Sequence, residues 1–391
     1  MAKFMDVIKL ARKLTPEEEQ SLVDLGKYLN KHDITLIKRL VKQKKIEIAK
    51  KEIKSLEQTI PIIKIIDHSG EKALKENIDE INDIITEKIK KKSEGKFSKQ
   101  AFEKIPQLIA PKIVGFDTVK QAVALQMFAP DHIHILLLGD PGTGKTDIIR
   151  SASEFYETSS FGLGSGTSGA GLAVTVKGKE VQKGLLPMAD QGLCAIDELN
   201  LMKDESKASL YNAMEKGFIT YDKGGHHYKF DSRVSVIATA NPKGDKFTAK
   251  EIDGLKKQMP FDAALLSRFH LVFFIRKPDI EKFAHITKSI IRGEKKKTSK
   301  EEIDFVKSYL IEANKIDKIT IPSKFEKQIV DFVADIKRNE ERYLVEVSPR
   351  LVIGFMRLAK ASARMEKRTE IQQIDINRVK EIIQHGLKLD I

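Results

Sequence analysis

The segment with the clearest chemistry is Gly139–Thr146, which reads Gly-Asp-Pro-Gly-Thr-Gly-Lys-Thr. It fits the phosphate-loop pattern in full. In such a loop, glycines let backbone N–H groups wrap phosphates, and the helix that follows directs its positive dipole end at them. We predict that this loop binds ATP, with Lys145 on the β and γ phosphates and Thr146 as a ligand of Mg²⁺. The residues predicted to contact the nucleotide are Gly139, Asp140, Pro141, Gly142, Thr143, Gly144, Lys145 and Thr146.

Two adjacent carboxylates follow a second apolar run. Asp197 and Glu198 come directly after Leu193–Ile196, and a charged group beside a buried strand is costly unless it pairs or does chemistry. We predict that Asp197 belongs to the magnesium shell and that Glu198 acts as the base that polarises water. Asn241, which follows a third apolar run, is predicted to orient that water.

Two arginines are candidates for contacts with the γ-phosphate. Arg268 stands in Ser267-Arg268-Phe269, just before an apolar run, as an arginine finger requires. Arg350 lies in the first turn of a helix that Ser348 and Pro349 are expected to begin. The alternative for each is a surface arginine held in a salt bridge.

Two insertions complete the set of candidate segments. Residues 218–230 alternate around Asp-Lys-Gly-Gly, which predicts a β-hairpin with Lys223 at its tip. The plain alternative is a solvated lysine on a loop. The segment from Phe161 to Leu172 holds many glycines, and its composition predicts a long non-helical loop.

The elements that must position these residues alternate between strands and helices. Four short apolar runs are predicted strands, and the candidate residues Gly139, Asp197 and Asn241 follow three of them. Polar residues that follow parallel strands meet at one edge of the sheet, where ligands bind in such folds. The predicted fold class is therefore α/β, with a parallel sheet covered by helices on both faces and interrupted by β-hairpin insertions. The predicted strands are 133–138, 193–196, 234–238 and 271–275.

The flanking regions read as helical. We expect a helical N-terminal domain over residues 1–96, an ATPase core over 97–278 and a helical lid over 279–391. Thr15, Pro16 and Glu18 predict a helix start with a capping box. Two apolar stripes in the first region have helical spacing, namely Ile37, Leu40, Val41 and Ile48, and then Leu74, Ile78, Ile81 and Ile85. Residues 88–96 are charged and are expected to be a solvated helix end and linker, with a DNA-binding patch as the alternative.

Composition narrows the classes of protein. The net charge of +13 suits a polyanionic partner, although a lysine-rich proteome would give the same surplus. Cys194 is the single cysteine, so no intramolecular disulfide can form, and the scattered histidines argue against zinc. No apolar run is long enough to cross a bilayer and no signal peptide is evident, so we expect no membrane association and a cytoplasmic protein.

Taken in order, these segments resemble the AAA+ motor of the minichromosome maintenance (MCM) replicative helicases over residues 97–391. The segments that carry the resemblance are the phosphate loop, 165–176, 188–192 leading into Asp197-Glu198, 214–215, 237–242, 264–269 and 348–350. The resemblance implies a hexameric ring that hydrolyses ATP between subunits and moves single-stranded or forked DNA with hairpins in its pore, at the nucleoid. It implies that Arg268 and Arg350 serve the neighbouring subunit's site and that Lys223 touches DNA.

The sequence also departs from the pattern of these helicases. Gly144-Lys145-Thr146 stands where they usually have Ala-Lys-Ser, Asn200-Leu201 where they have Asp-Lys, and His270 where they have Asp. The first 96 residues show neither the zinc motif nor a visible oligonucleotide-binding barrel, and we expect no winged helix after the lid. These departures leave the predicted ATPase centre intact, but they do not favour processive unwinding of the replicative kind.

Two other functions are compatible with the residues. A protein-remodelling ATPase that resembles the MoxR or magnesium-chelatase groups would share the hairpin before Asn241. The Gly-rich insertion and Lys223 favour the DNA translocase over it. An MCM-like regulatory subunit, which joins a full helicase ring, would hydrolyse little ATP by itself.

Overall fold

The computed structural model describes most of residues 14–65, residues 81–82 and most of 95–387. The gaps are 26, 28, 30, 43–45, 54–57, 168, 178–179, 224–225, 245, 250, 278–279, 281–283, 285–286, 289–290, 293–296 and 345. The stripe that begins at Leu74 lies outside the described residues except at 81–82, and the predicted linker outside them except at 95–96. Contacts divide the chain into two compact units, Met1–Lys99 and Gln100–Ile391. No helix of the described part is long and apolar enough to span a membrane.

In the described part of the first unit, two helices are followed by two antiparallel strands, and residues 81–82 and 95–98 are also helical. Helix α1 spans Pro16–Leu25, α2 spans Lys31–Lys42, β1 spans Ile46–Ile53 and β2 spans Gln58–Ile65. The predicted capping box is confirmed: the Glu18 N–H donates to Thr15 Oγ1 at 3.3 Å, and the Thr15 N–H donates to Glu18 Oε2 at 2.9 Å.

The expectation of an entirely helical first region is wrong over residues 46–65. The stripe that was assigned to one helix is split, because α2 ends at Lys42 and Ile48 lies in β1. Ile46 and Ile63, one from each strand, are buried in the same core as Ile37 of α2. Alternating and helical spacing coincide over so short a run, and pairing with a strand that follows about a dozen residues later decided the outcome.

The second unit is built on a five-stranded parallel sheet. Its strands are β3 (His134–Gly139), β4 (Ser159–Leu163), β7 (Leu193–Asp197), β10 (Ser235–Ala240) and β11 (Leu271–Ile275). Their order is β11-β3-β10-β7-β4, and each neighbouring pair is parallel. The four predicted strands are present to within two residues at each end. The sequence reading missed β4, which forms the edge of the sheet.

Helices and two small hairpins surround this sheet. The helices are α3 (Ala101–Leu108), α4 (Asp117–Phe128), α5 (Lys145–Glu154), α6 (Gly169–Leu172), α7 (Leu185–Met188), α8 (Asp204–Lys216), α9 (Ile252–Lys257) and α10 (Ala263–Leu266). The hairpins are β5 (Val174–Lys177) with β6 (Glu180–Lys183), and β8 (Phe218–Lys223) with β9 (His226–Asp231). The Gly-rich insertion is therefore not wholly non-helical, since its end forms the single turn α6.

The last part of the chain is helical, as expected. It contains α11 (Lys300–Asn314), α12 (Glu326–Arg338), α13 (Pro349–Met365) and α14 (Gln373–Leu387). Helix α13 begins at Pro349 as predicted, although Ser348 makes no side-chain cap hydrogen bond. Helices α13 and α14 pack on α4 and β11 within the same compact unit. The boundary between core and lid at residues 278 and 279 remains a proposal.

Candidate nucleotide site and arginine pair

The predicted phosphate loop lies between the carboxyl end of β3 and the first turn of α5. Gly139 closes β3 so tightly against β11 that a Cβ there would lie 1.8 Å from the carbonyl oxygen of Ile275. Gly142 and Gly144 have left-handed backbone angles, with φ of 76° and 84°. Glycine is favoured at these two positions because side chains are strained there. The loop therefore leads into α5, whose first N–H groups are free to face an anion.

Lys145 is buried at the start of α5. Its Nζ donates to the carbonyl oxygens of Gly139 at 2.9 Å and Asp140 at 2.6 Å. Burial lowers its pKa to about 8, although the nearby carboxylates of Asp140, Asp197 and Glu198 act in the opposite direction. A phosphate beside this amine would stabilise its charged form, so the lysine fits the predicted contact with ATP.

Thr146 and Asp197 meet across the base of this loop. Thr146 Oγ1 donates to Asp197 Oδ1 at 3.1 Å, and the carboxylate is buried at the end of β7. Adjacent oxygen ligands of an octahedral Mg²⁺ lie roughly 3 Å apart, since each metal–oxygen bond is about 2.1 Å. A hydroxyl and a carboxylate at this separation fit the two protein ligands predicted for magnesium.

Thr239, to which the sequence reading gave no role, links the backbone of Glu198 to the carboxylate of Asp197. The backbone N–H of Glu198 donates to Thr239 Oγ1 at 2.9 Å, and that hydroxyl in turn donates to Asp197 Oδ1. Glu198 itself has a left-handed backbone, with φ of 54°, so the chain turns sharply after the buried aspartate. Such strain at a non-glycine residue is typical of functional sites. This turn gives the two side chains different surroundings, because Asp197 is buried and Glu198 is half-buried.

Asn241 lies just beyond the end of β10, which is the neighbour of β7 and β3. Its backbone N–H donates to Asn200 Oδ1 at 3.0 Å, which ties it to the short 3₁₀ turn Leu199–Leu201 that follows Glu198. Asn200 is one of the departures from the MCM pattern. The structure thus brings Asn241 to the same sheet edge as the phosphate loop and the carboxylates.

The two candidate arginines lie together and share one carboxylate. Arg268 donates to Glu215 Oε2 at 3.0 Å and to the carbonyl oxygen of Ala264 at 2.6 Å. Its guanidinium carbon lies 4.5 Å from the ring centroid of Tyr211. Arg350 donates to the carbonyl oxygen of Ser267 at 3.1 Å and approaches Glu215 Oε1 at 3.7 Å. The sequence reading included Glu215 in the resemblance segment 214–215 but gave it no role, because 53 residues separate it from Arg268.

The arginine pair and the phosphate loop lie at opposite ends of the parallel strands. Strands β3 and β11 are parallel, with Ile135 opposite Leu271 and Gly139 opposite Ile275. The loop follows the carboxyl end of β3, whereas Arg268 precedes the amino end of β11. Five strand residues, at about 3.3 Å each, separate the backbone of the loop from the backbone of Arg268 by roughly 17 Å along the strand direction. The strand register therefore places Arg268 and the loop at opposite ends of β11 and β3.

A buried histidine pair supports the edge that carries the arginines. The backbone N–H of His134 donates to His270 Nδ1 at 3.0 Å, and His270 Nε2 lies 3.2 Å from a guanidinium nitrogen of Arg357 on α13. Burial, followed by the charges of Arg357 and Arg350, lowers the pKa of His270 to about 3. His270 is therefore a neutral packing residue beneath α13, which also carries Arg350.

The hairpin predicted around Lys223 is present. In β8 and β9, Asp222 pairs with His227 and Lys223 pairs with His226, which places Lys223 at the last described pair before residues 224–225. Those two tip residues, like the side chain of Lys223, lie outside the described residues. The structure confirms the hairpin, and the contact of Lys223 with DNA remains a prediction.

Comparison with known proteins identifies the family. The model of the MCM P-loop domain matches residues 86–293, which is more than half of the chain. The chain belongs to the MCM family. The match begins before the phosphate loop and continues past β11, so it contains Thr146, Asp197, Asn241 and Arg268.

Several curated MCM proteins are similar to this chain. The minichromosome maintenance protein MCM of Saccharolobus solfataricus is 28% identical over 298 residues, which are 71% of this chain and 43% of that protein. The DNA replication licensing factor mcm7 of Schizosaccharomyces pombe is 29% identical over 70% of this chain and 40% of its own. The probable DNA helicase MCM9 of Oryza sativa subsp. indica is 30% identical over 68% and 43%. The matched segment thus spans less than half the length of each relative.

Proposed function

We propose that this MCM chain hydrolyses ATP at the interfaces of a homohexameric ring and uses the energy to move along single-stranded or forked DNA at the nucleoid. The phosphate loop with Lys145 binds the phosphates, while Thr146 and Asp197 hold Mg²⁺. Bound Mg²⁺ would neutralise charge on the β and γ phosphates. Glu198 accepts the proton of the attacking water, and Asn241 orients that water.

One observation carries the interface site. Arg268 and Arg350 converge on Glu215 at the sheet edge opposite the phosphate loop. In head-to-tail packing of identical subunits, the phosphate-loop end of one sheet would face the arginine end of the next, and a closed ring would repeat this contact. Each arginine pair then faces the nucleotide of the neighbouring subunit.

The movement of DNA rests on the family and on the β8–β9 hairpin. The family includes proteins named as DNA replication licensing factors and as a probable DNA helicase. The hairpin lies between α8, which carries Glu215, and β10, which leads to Asn241. A strand gripped by Lys223 is therefore connected through short segments to both halves of the proposed interface.

The test is the ATPase rate of the purified chain with and without single-stranded DNA. Glu198→Gln serves as the inactive control, because it preserves shape but removes the proton acceptor. Stimulation by DNA in the wild type, together with rings seen by native mass spectrometry, supports the proposal. A rate that rises only when another MCM protein is added would instead identify a regulatory subunit. A rate that DNA leaves unchanged would contradict DNA translocation.

A further inference from the structure

The proposed ATPase function gives no role to the arrangement of helices and strands in the first unit. Its described elements include two short helices, α1 and α2, which are joined by five residues and followed by the antiparallel strands β1 and β2. Helix α1 contacts α2 and both strands, and α2 contacts β1. Two packed helices with a short connection are the core of helix-turn-helix modules, in which the second helix enters the major groove of DNA.

The core of this unit fixes which side of α2 faces outward. Ile37, Leu40 and Val41 are buried against residues of α1, β1 and β2. Lys31, Thr35, Lys38 and Arg39 are exposed on the other side, and Lys42 is partly exposed on the same row. These residues recur at helical spacing, so they form one continuous surface, which we call the α2 basic face.

Charge distinguishes the two helices sharply. Helix α1 carries acidic residues throughout its first turn, namely Glu17, Glu18 and Glu19, and no basic residue in its last turn. Helix α2 has only one acidic residue in its first turn, Asp33, and ends with Arg39 and Lys42. A surface that serves only solubility would carry acidic and basic residues interspersed. The separation instead predicts that a polyanion approaches α2 and is repelled from α1.

We propose that the α2 basic face binds the major groove of double-stranded DNA. A helix of 12 residues is about 18 Å long and fits a groove about 12 Å wide. Thr35, at the centre of the face, is short enough to approach base edges, while Lys31, Lys38 and Arg39 around it can reach phosphates. This duplex contact goes beyond the proposed ATP-driven grip on a single strand and requires no nucleotide.

The experiment measures binding of the full chain to a labelled duplex of roughly two helical turns, without nucleotide or magnesium. The test variant is Lys38→Glu with Arg39→Glu. The matched control is Lys318→Glu with Lys327→Glu, which changes the net charge equally at exposed positions in the second unit. Circular dichroism verifies folding, and Lys38→Gln with Arg39→Gln provides a milder second variant.

We expect the α2 double variant to bind the duplex at least about tenfold more weakly, and the control to bind like wild type. Each lost phosphate contact lowers the slope of log affinity against log salt by about 0.9, so the slope should fall by roughly 1.8. Equal effects in both double variants would overturn the proposal. So would an equal loss on single-stranded DNA or duplex RNA, because the face would then be a general polyanion surface.

Discussion

The guanidinium of Arg268 lies 3.0 Å from the carboxylate of Glu215 in the same chain. Arg350 approaches the other oxygen of that carboxylate at 3.7 Å. A shared partner holds two like charges side by side and fixes their direction, while leaving the arginines partly exposed. Without Glu215, mutual repulsion would favour the separation of the two guanidinium groups. In the proposed ring, the carboxylate therefore positions both arginines before a neighbour arrives.

The first prediction concerns this pair across subunits. Arg268→Ala and Glu198→Gln should each be inactive alone, since a finger contributes about 10³–10⁵ in rate. Mixed rings should recover activity, because an interface formed by the intact phosphate-loop edge of one variant and the intact arginine edge of the other is complete. The measurement is the ATPase rate of mixtures whose composition is verified by native mass spectrometry. Rings of confirmed mixed composition with no recovery would argue for a finger within the same chain.

The second prediction separates binding of ATP from its hydrolysis. Lys145→Ala should lower ATP affinity at least about tenfold, because it removes a charge-assisted contact with phosphate. Glu198→Gln should bind ATP with near wild-type affinity and lower kcat by about 10²–10⁴, because its role is on water. Fluorescent nucleotide titration and single-turnover hydrolysis give the two quantities. Equal loss of affinity in both variants would contradict this division of roles.

The third prediction concerns the β8–β9 hairpin. Lys223→Ala should weaken binding of single-stranded DNA most at low salt, because each lost phosphate contact reduces the steepness of log affinity against log salt by about 0.7. Lys229→Ala is the matched control, since Lys229 belongs to the same hairpin and its Nζ lies 4.2 Å from the Phe218 ring centroid. Titrations at several salt concentrations check the result. Identical slopes for wild type and Lys223→Ala would show that Lys223 makes no phosphate contact with DNA.

The fourth prediction is a pH dependence of stability from His270. Its folded pKa is about 3 against an ordinary 6.5, so folding favours the neutral ring. The contribution is full above the unfolded pKa and is lost as pH falls toward the folded value. From about pH 7 to about pH 5, this one group should cost about 2 kcal/mol.

His270→Asn tests this assignment, because the amide oxygen can still accept the N–H of His134 but cannot titrate. The variant should lose less unfolding free energy than wild type on acidification, by about 2 kcal/mol. Denaturant unfolding at the two pH values measures the difference, and the comparison near pH 8 isolates the cost of altered packing. Parallel pH profiles for the two proteins would show that another group is responsible.

The sequence predicted the parts of the site that are local in the chain. The phosphate loop, Asp197 and Asn241 follow apolar runs directly, so strand topology alone brings them to one edge. Thr239 and Glu215 gave no such signal. Their partners are 42 and 53 residues away, and a threonine within a strand or a glutamate on an exposed helix is ordinary by itself.

The first unit shows a different limit of prediction. Ile48 continued the apolar spacing of α2, yet it belongs to a strand whose partner follows after residues 54–57. The pairing of Ile48 with Ile63 of β2 decided between helix and strand there. Asn82 in turn bonds both the N–H and the carbonyl oxygen of Ile63, at 2.8 and 2.9 Å. A side chain that substitutes for a neighbouring strand cannot be recognised from hydrophobic periodicity.

Gly164 joins the beginning of the Gly-rich insertion to the backbone of the predicted catalytic residues Asp197 and Glu198. Its N–H donates to the carbonyl oxygen of Asp197 at 2.7 Å, and a Cβ at this glycine would lie 2.2 Å from the carbonyl oxygen of Glu198. The insertion and the turn at Asp197 and Glu198 therefore share one backbone junction. A shift of the insertion would therefore also shift the backbone of Glu198, the residue proposed to activate water.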